Sequence, residues 1–253
     1  MTLESLVAIL AGLLIGSFLN VCVYRMPRDL SVVHPRSFCP ACEHQIAWYD
    51  NIPVVSWLIL GGKCRWCRAP ISPQYPIIEA LVGLLWLLAM LAYGPSLRFL
   101  GAATLGTILL GIAITDARHY LIPDEFTWGG LAIGLALSLG GGVPGFLQSV
   151  LGAAVGFVLL YGIARGAQWV FKEEAMGGGD VKMMAMVGAF VGWQGVLLTV
   201  FSGALLGTLI FGPISLKRKR LVPFGVFLAV GAAVTFVFGD AIIDWYRNFL
   251  RGA

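Results

Sequence analysis

The stretch "GGGDVKMMAMVGAFVGWQGVLLTVFSGALLGTLIFGPIS", residues 177–215, decides the fold. No charged residue occurs from Met183 to Leu216. About 20 apolar residues cross the roughly 30 Å of bilayer hydrocarbon, so this block is long enough for two short crossings. The "GWQG" at 192–195 breaks it near the middle and divides it in that way. No water is available there for backbone groups, so each crossing is a helix.

The same pattern repeats outward. The uncharged blocks are 5–24, 80–97, 99–115, 126–164, 183–216 and 221–239. The block 126–164 is interrupted by "GGGVPG" at 140–145. Six blocks, two of them double, predict an all-α polytopic membrane protein of about eight transmembrane helices. Composition agrees. Of 253 residues, 58% are hydrophobic and 12% charged, against about 25% charged in an ordinary soluble domain, and the mean hydropathy is +0.86. The first block lacks a basic n-region and a clear cleavage site, so it reads as a retained helix.

Charge sets the expected orientation. With the N-terminus outside, the inner loops are 25–75, 116–125, 165–182 and 217–220, and they hold 14 of the 17 Lys and Arg residues. That is the positive-inside bias. It reads "KRKR" at 217–220 as a topology anchor, and the net charge of +4 carries no implication for nucleic acid. The expected partner of the bulk surface is the lipid bilayer.

The one sizeable polar segment, about 25–75, contains "CPAC" (39–42) and "CRWC" (64–67), or C-x2-C-x21-C-x2-C. Four thiolates in two close pairs can fold a short loop around tetrahedral zinc. This predicts a small cytoplasmic zinc-ribbon-like loop with Cys39, Cys42, Cys64 and Cys67 as structural ligands. Structural disulfides, or a redox dithiol at "CPAC", are the other chemistries of such pairs. A reducing cytosol and a second CxxC favour zinc. Cys22 reads as a packing residue of the first helix, and four cysteines leave no need for His34 or His44.

Ionisable groups near hydrocarbon are candidates for function. Asp116 ends the third span in "GIAITDARHYLIPDE", and Asp180 follows a glycine triplet. From Val181 to Trp193 there are 13 residues, about 20 Å of helix. That length is short of the hydrocarbon core, and it predicts that the glycine loop dips inward with Asp180. The glycines would permit positive φ and close backbone approach. The plain alternatives are a helix N-cap for Asp180 and a loop carboxylate for Asp116. Asp124 in "IPDEF" reads as a helix cap, and Asp240 and Asp244 as interfacial. Glu79, near the start of the second span, stays ambiguous. If Asp116 and Asp180 meet, they share a proton. Judged by each helix's own end, Asp180 is then the ionised base and Asp116 the proton donor.

These residues are also recognisable as a set. "GGGD" at 177–180 resembles the G-x-G-D motif of intramembrane aspartic proteases, with Gly177 and Gly179 supporting Asp180. "GSFLNVCVYRMPR" (16–28), the paired CxxC loop, "ISPQYPIIE" (71–79), "DARHYLIPD" (116–124) and "LVPFGVFLAVG" (221–231) are similar, in order, to the type IV prepilin peptidases. The resemblance implies Asp116 and Asp180 as the catalytic pair in a bacterial inner membrane. The implied reaction is cleavage of a basic leader from a prepilin or pseudopilin at the cytoplasmic face. It also implies N-methylation of the new terminus with S-adenosylmethionine, associated with residues 1–75 and with Gly62 in "LGGKC". Residues 76–253 would form the aspartic peptidase domain. Acidic groups at Asp124, Glu125, Glu173 and Glu174 are candidates for attracting the leader. Two rival readings remain: a proton- or cation-coupled transporter using Asp116 and Asp180, and a thiol oxidoreductase using "CPAC".

Overall fold

In the computed structural model, residues 2–141, 145–172, 176–215 and 223–252 are described. They form two compact units, residues 1–99 and 100–253. The helices are α1 (Leu3–Arg25), α2 (Val55–Ile59), α3 (Gln74–Tyr93), α4 (Leu97–His119), α5 (Asp124–Leu139), α6 (Phe146–Phe171), α7 (Gly178–Ser215) and α8 (Phe224–Gly252). Among the described residues there is no strand, and two isolated antiparallel bridges stand in the cysteine loop. The all-α polytopic architecture is as the sequence predicts.

Six of these helices are long and apolar enough to cross a membrane: α1, α3, α4, α6, α7 and α8. The eight expected segments all exist as helix, with two adjustments. The first is α5, whose 16 residues reach only about 24 Å. The second is α7, whose two helical halves meet at a kink inside the expected break with no loop between them. Gly192, at φ 70° and ψ 174°, absorbs the whole break. A residue without Cβ takes that conformation freely, so the chain needs no further turn residues at "GWQG". The "KRKR" cluster lies outside the described residues.

In the first unit, α1 and α3 pack closely and antiparallel. Thr2 caps α1 by accepting from the Ser5 N–H, and Gly16 lets the helices touch. A Cβ there would lie 2.8 Å from Glu79 Cα. One turn on, Asn20 Nδ2 donates to the Tyr75 carbonyl at 3.1 Å. Cys22 is buried in α1, the packing role expected of it. In the second unit α7 is the central helix, in contact with α5, α6 and α8. Met183, Met184, Met186 and Val187 on its first half are fully buried. Ser149 of α6 donates to the Ala189 carbonyl of α7.

Candidate active site and metal centre

The two aspartates singled out by charge both lie in the second unit and both are buried, Asp116 at 6% exposure and Asp180 at 9%. Asp116 sits inside α4, one turn before its end, and so is not a loop carboxylate. Asp180 is the third residue of α7, inside the first turn and past the cap position. The carboxyl groups are close enough for Asp116 to act on Asp180 electrostatically. Residues 64 positions apart are thus brought together.

Their surroundings differ. The Val226 N–H donates to Asp116 Oδ2 at 3.0 Å, and the Gly225 N–H also bears on that carboxylate. Both donors belong to the first turn of α8. A helix N-terminus offers unpaired N–H groups and a positive dipole end, an arrangement that holds an anion. Asp180 receives no such donors among the described residues. Its Oδ1 is buried without a hydrogen-bond partner among the described residues. Reading each aspartate from the end of its own helix leaves out these α8 donors.

Ile122, from the "YLIPD" connection after α4, packs on both halves of the site. A Cβ on Gly179 would approach Ile122 Cβ to 3.0 Å, and a Cβ on Gly225 would approach Ile122 Cδ1 to 2.8 Å and Asp116 Oδ2 to 2.9 Å. The glycine triplet therefore acts by close approach, at Gly179. None of the three has positive φ, so that expected role is corrected. Gly177 lies farther off, its added Cβ 4.0 Å from Asp180 Oδ2. Gly225 and the Val226 N–H were not identified as site groups from the sequence. The available signal was "PFG" opening an apolar helix, a small residue on the first turn where a side chain would block an anion.

Asp124 is also corrected. Pro123 occupies the cap position without a side-chain bond, and the exposed Asp124 carboxylate instead pairs with Lys182 Nζ at 2.7 and 2.8 Å. The pair ties the start of α5 to the start of α7. It also leaves Asp124 with a cation of its own, which weakens it as bait for a basic leader. Glu173 and Glu174 lie outside the described residues. Asp244 is exposed and pairs with Arg247 at 3.4 Å.

The thiol loop belongs to the first unit. Each CxxC forms the same turn. In the first, the Cys39 N–H donates to the His44 carbonyl and the Glu43 N–H to the Cys39 carbonyl; in the second, the Cys64 N–H donates to Ala69 and the Arg68 N–H to Cys64. Glu43 and Arg68, each following the second cysteine, both take positive φ. The bridges 38↔45 and 63↔70 close the two turns. The four cysteines of the loop are in no disulfide, and their sulfurs lie within 4.8 Å of one another. A tetrahedron of zinc–sulfur bonds about 2.3 Å long puts its corners about 3.8 Å apart. Cys39 and Cys67 are separated by 3.8 Å, so the donor set fits a tetrahedral metal. The backbone N–H groups of Cys67 and Trp66 draw the Cys64 thiol down to about 7. Cys42 rises to about 12: the His44 N–H pulls it down, but burial and the neighbouring thiols outweigh it. Arg65 clamps Asp50 with two bonds of 2.7 and 2.6 Å and holds that carboxyl below its usual range.

Gly62 has φ 67°, and a Cβ there would come within 2.9 Å of the Trp57 indole. It supports that ring from behind. Glu79, ambiguous in the sequence, is 7% exposed and accepts from the Val54 N–H at 2.7 Å.

Comparison with known proteins gives a consistent result. Residues 10–93 match the bacterial peptidase A24 N-terminal domain, and residues 103–212 match the type IV leader peptidase family. A prepilin leader peptidase/N-methyltransferase of Myxococcus xanthus is 41% identical over 223 residues, covering 88% of this chain and 63% of that protein. Proteins of the same name from Aeromonas hydrophila and Pseudomonas aeruginosa are each 34% identical, covering 95% and 96% of this chain and 93% of each relative. No solved structure matches significantly.

Proposed function

The chain belongs to the type IV leader peptidase family, and from that membership we propose that it removes the leader of a prepilin or pseudopilin and N-methylates the terminus so exposed. The observation that carries the peptidase half is the pair of buried carboxylates in electrostatic reach, one held by helix N–H donors and the other with an orphaned oxygen. Asp116, supported by the first turn of α8, is the ionised base. Asp180 carries the shared proton.

In the cleavage step Asp116 takes a proton from water as the water oxygen attacks the scissile carbonyl carbon. Asp180 gives its proton to the carbonyl oxygen. Collapse of the tetrahedral adduct returns the second proton to Asp180 and passes the first from Asp116 to the leaving amine. No charge is left buried on the substrate. Gly177 and Gly179 keep the backbone before Asp180 narrow, and Gly225 leaves room for the Asp116 carboxylate.

The first unit, residues 1–99, carries the part associated with methyl transfer, which extends the division expected at 75/76 to take in α3, and residues 100–253 carry the peptidase. Cys39, Cys42, Cys64 and Cys67 would hold a zinc ion, and with four thiolates as ligands its part would be to keep the loop in shape. S-adenosylmethionine, when bound, would supply the methyl group, and Gly62 acts through its placement of Trp57. The enzyme sits in the bacterial inner membrane, with the loop and the aspartates at the cytoplasmic face. The test is to incubate the purified protein with a synthetic prepilin, with and without S-adenosylmethionine, and to weigh the products. Loss of the leader in both, and one added methyl only with the donor, is expected. An uncut substrate removes the peptidase reading, and a cut but unmethylated product removes the methyl-transfer reading alone.

A further inference from the structure

Within the first unit, α1, the thiol loop and α3 surround a cavity of about 410 Å³, with Glu79, Val54, Trp57, Tyr24 and Tyr75 among its walls. That volume is in the range of small-molecule sites. Glu79 accepts hydrogen bonds from the Val54 N–H at 2.7 Å and from Ser17. No cation pairs with it among the described residues. The two guanidinium groups that line the same cavity are engaged elsewhere. Arg25 donates to the Ser31 and Arg36 carbonyls, and Arg65 holds Asp50. A buried carboxylate that receives donors but has no counter-charge is costly unless something brings the charge to it.

The backbone is strained to make this arrangement. The Val55 N–H donates to the Pro53 carbonyl at 2.6 Å, which closes a three-residue turn around Val54 at φ 61° and ψ −51°. That is the rare hand of the γ-turn, and a β-branched residue is poorly suited to it. The turn directs the Val54 N–H to Glu79. Such strain is found where a site needs a fixed donor. On another wall Trp57 is fixed twice, by the bond from its Nε1 to the Ile71 carbonyl at 3.1 Å and by Gly62 behind its ring. Aromatic faces and a carboxylate together receive an organic cation better than either does alone.

We propose that this cavity is the methyl-donor site of the first unit and that Glu79 is the counter-charge that recognises the donor's sulfonium. The proposal rests on the methyl-transfer reading above. It assigns Glu79 to binding, and gives Gly62 an indirect part, through the placement of Trp57. A carboxylate that meets a sulfonium distinguishes the donor from its demethylated product, because the product's sulfur is a neutral thioether.

The experiment measures equilibrium binding of S-adenosylmethionine and S-adenosylhomocysteine to the full-length, metal-loaded protein in nanodiscs. The unaltered protein is expected to bind the sulfonium at least about tenfold more tightly than the thioether; equal affinities overturn the proposal without any variant. Glu79→Gln should bring the two affinities together, and Glu79→Asp should restore part of the difference. A preference that survives in Glu79→Gln overturns the assignment of Glu79. A second arm uses a short peptide with a free or an acetylated N-terminus. If Glu79→Gln changes affinity only for the free amine, the cavity is an amine site and the donor assignment fails. Product masses from the prepilin assay separate the two levels. Methylation by a protein with no sulfonium preference sinks this inference and leaves the enzyme reading intact, whereas absence of methylation in the unaltered protein removes the reading beneath it.

Discussion

The thiol loop and the aspartate pair both gather side chains from distant parts of the chain, but different forces hold them. The loop has almost no apolar interior. Its shape rests on two matched turns, short backbone bonds and four sulfurs at metal-binding separation. Asp180 stands on a helix whose inner face is closed by Met183, Met184, Met186 and Val187, and Asp116 on one closed by Ala103, Leu105 and Ile112. On the proposed reading one region would depend on a ligand, which can be chelated away, and the other depends on packing, so that its chemistry must be removed side chain by side chain.

The most severe break in the comparison is on the packed side. Asp116→Asn or Asp180→Asn should lower leader cleavage by roughly 10²–10⁴-fold, the usual worth of general acid–base groups, while thermal unfolding of the helical core changes little. Cleavage assays on a synthetic prepilin read the first effect and circular dichroism the second; a fully active Asp180→Asn protein excludes Asp180 from the chemistry.

Metal removal comes next and acts on the other region. A structural zinc of this type contributes on the order of 10 kcal/mol to the fold of its own loop. Chelation should expose residues 37–71 to protease and alter Trp66 fluorescence, since that indole lies 4.1 Å from the His44 ring. The helices should keep their circular dichroism. A loop that stays protected after complete metal loss would show that its hydrogen bonds suffice.

Gly225→Ala sharpens the comparison further, because it crowds the Asp116 carboxylate and Ile122 without touching the buried methionines of α7. The new methyl would stand 2.9 Å from Asp116 Oδ2, and displacement by even about 1 Å can cost up to about 100-fold in rate. A drop of roughly 10- to 100-fold in kcat with KM little changed is expected from steady-state assays, and an unchanged kcat would clear Gly225 of any role at Asp116.

The smallest effect is predicted at the loop's exposed clamp. Asp50→Asn should loosen the second CxxC turn only slightly, because solvent and salt screen a pair that includes an exposed Arg65. Arg65 holds the folded Asp50 below its usual carboxyl range. The contribution is therefore complete above pH about 4 and disappears as acid brings the medium through that lower value. Protease resistance of the metal-loaded loop, followed against pH in both proteins, should differ near neutrality and converge in acid.

Much of this was legible in one dimension. Uncharged blocks of fixed length become helices because hydrocarbon leaves the backbone no other way to satisfy itself, and the kink at Gly192 falls within the predicted break. Paired cysteines predicted their own cluster because the CxxC turn is local. What was not legible depended on neighbours from elsewhere in the chain. Asp124 looked like a cap until Lys182 was placed beside it. Glu79 had no reading until α1 and the Val54 turn enclosed it. The glycine triplet suggested unusual dihedrals, yet only the approach of Ile122 to Gly179 uses the missing Cβ.

By itself the sequence determined which segments lie in lipid, which four thiols act together and which two acids are out of place, since each follows from local composition and spacing. Only the tertiary structure decided how those acids differ. The N-terminus of α8, more than a hundred residues along the chain, delivers its N–H donors to Asp116 and none to Asp180. The charge state of a buried group is set by the dipoles packed against it, and sequence distance does not record them.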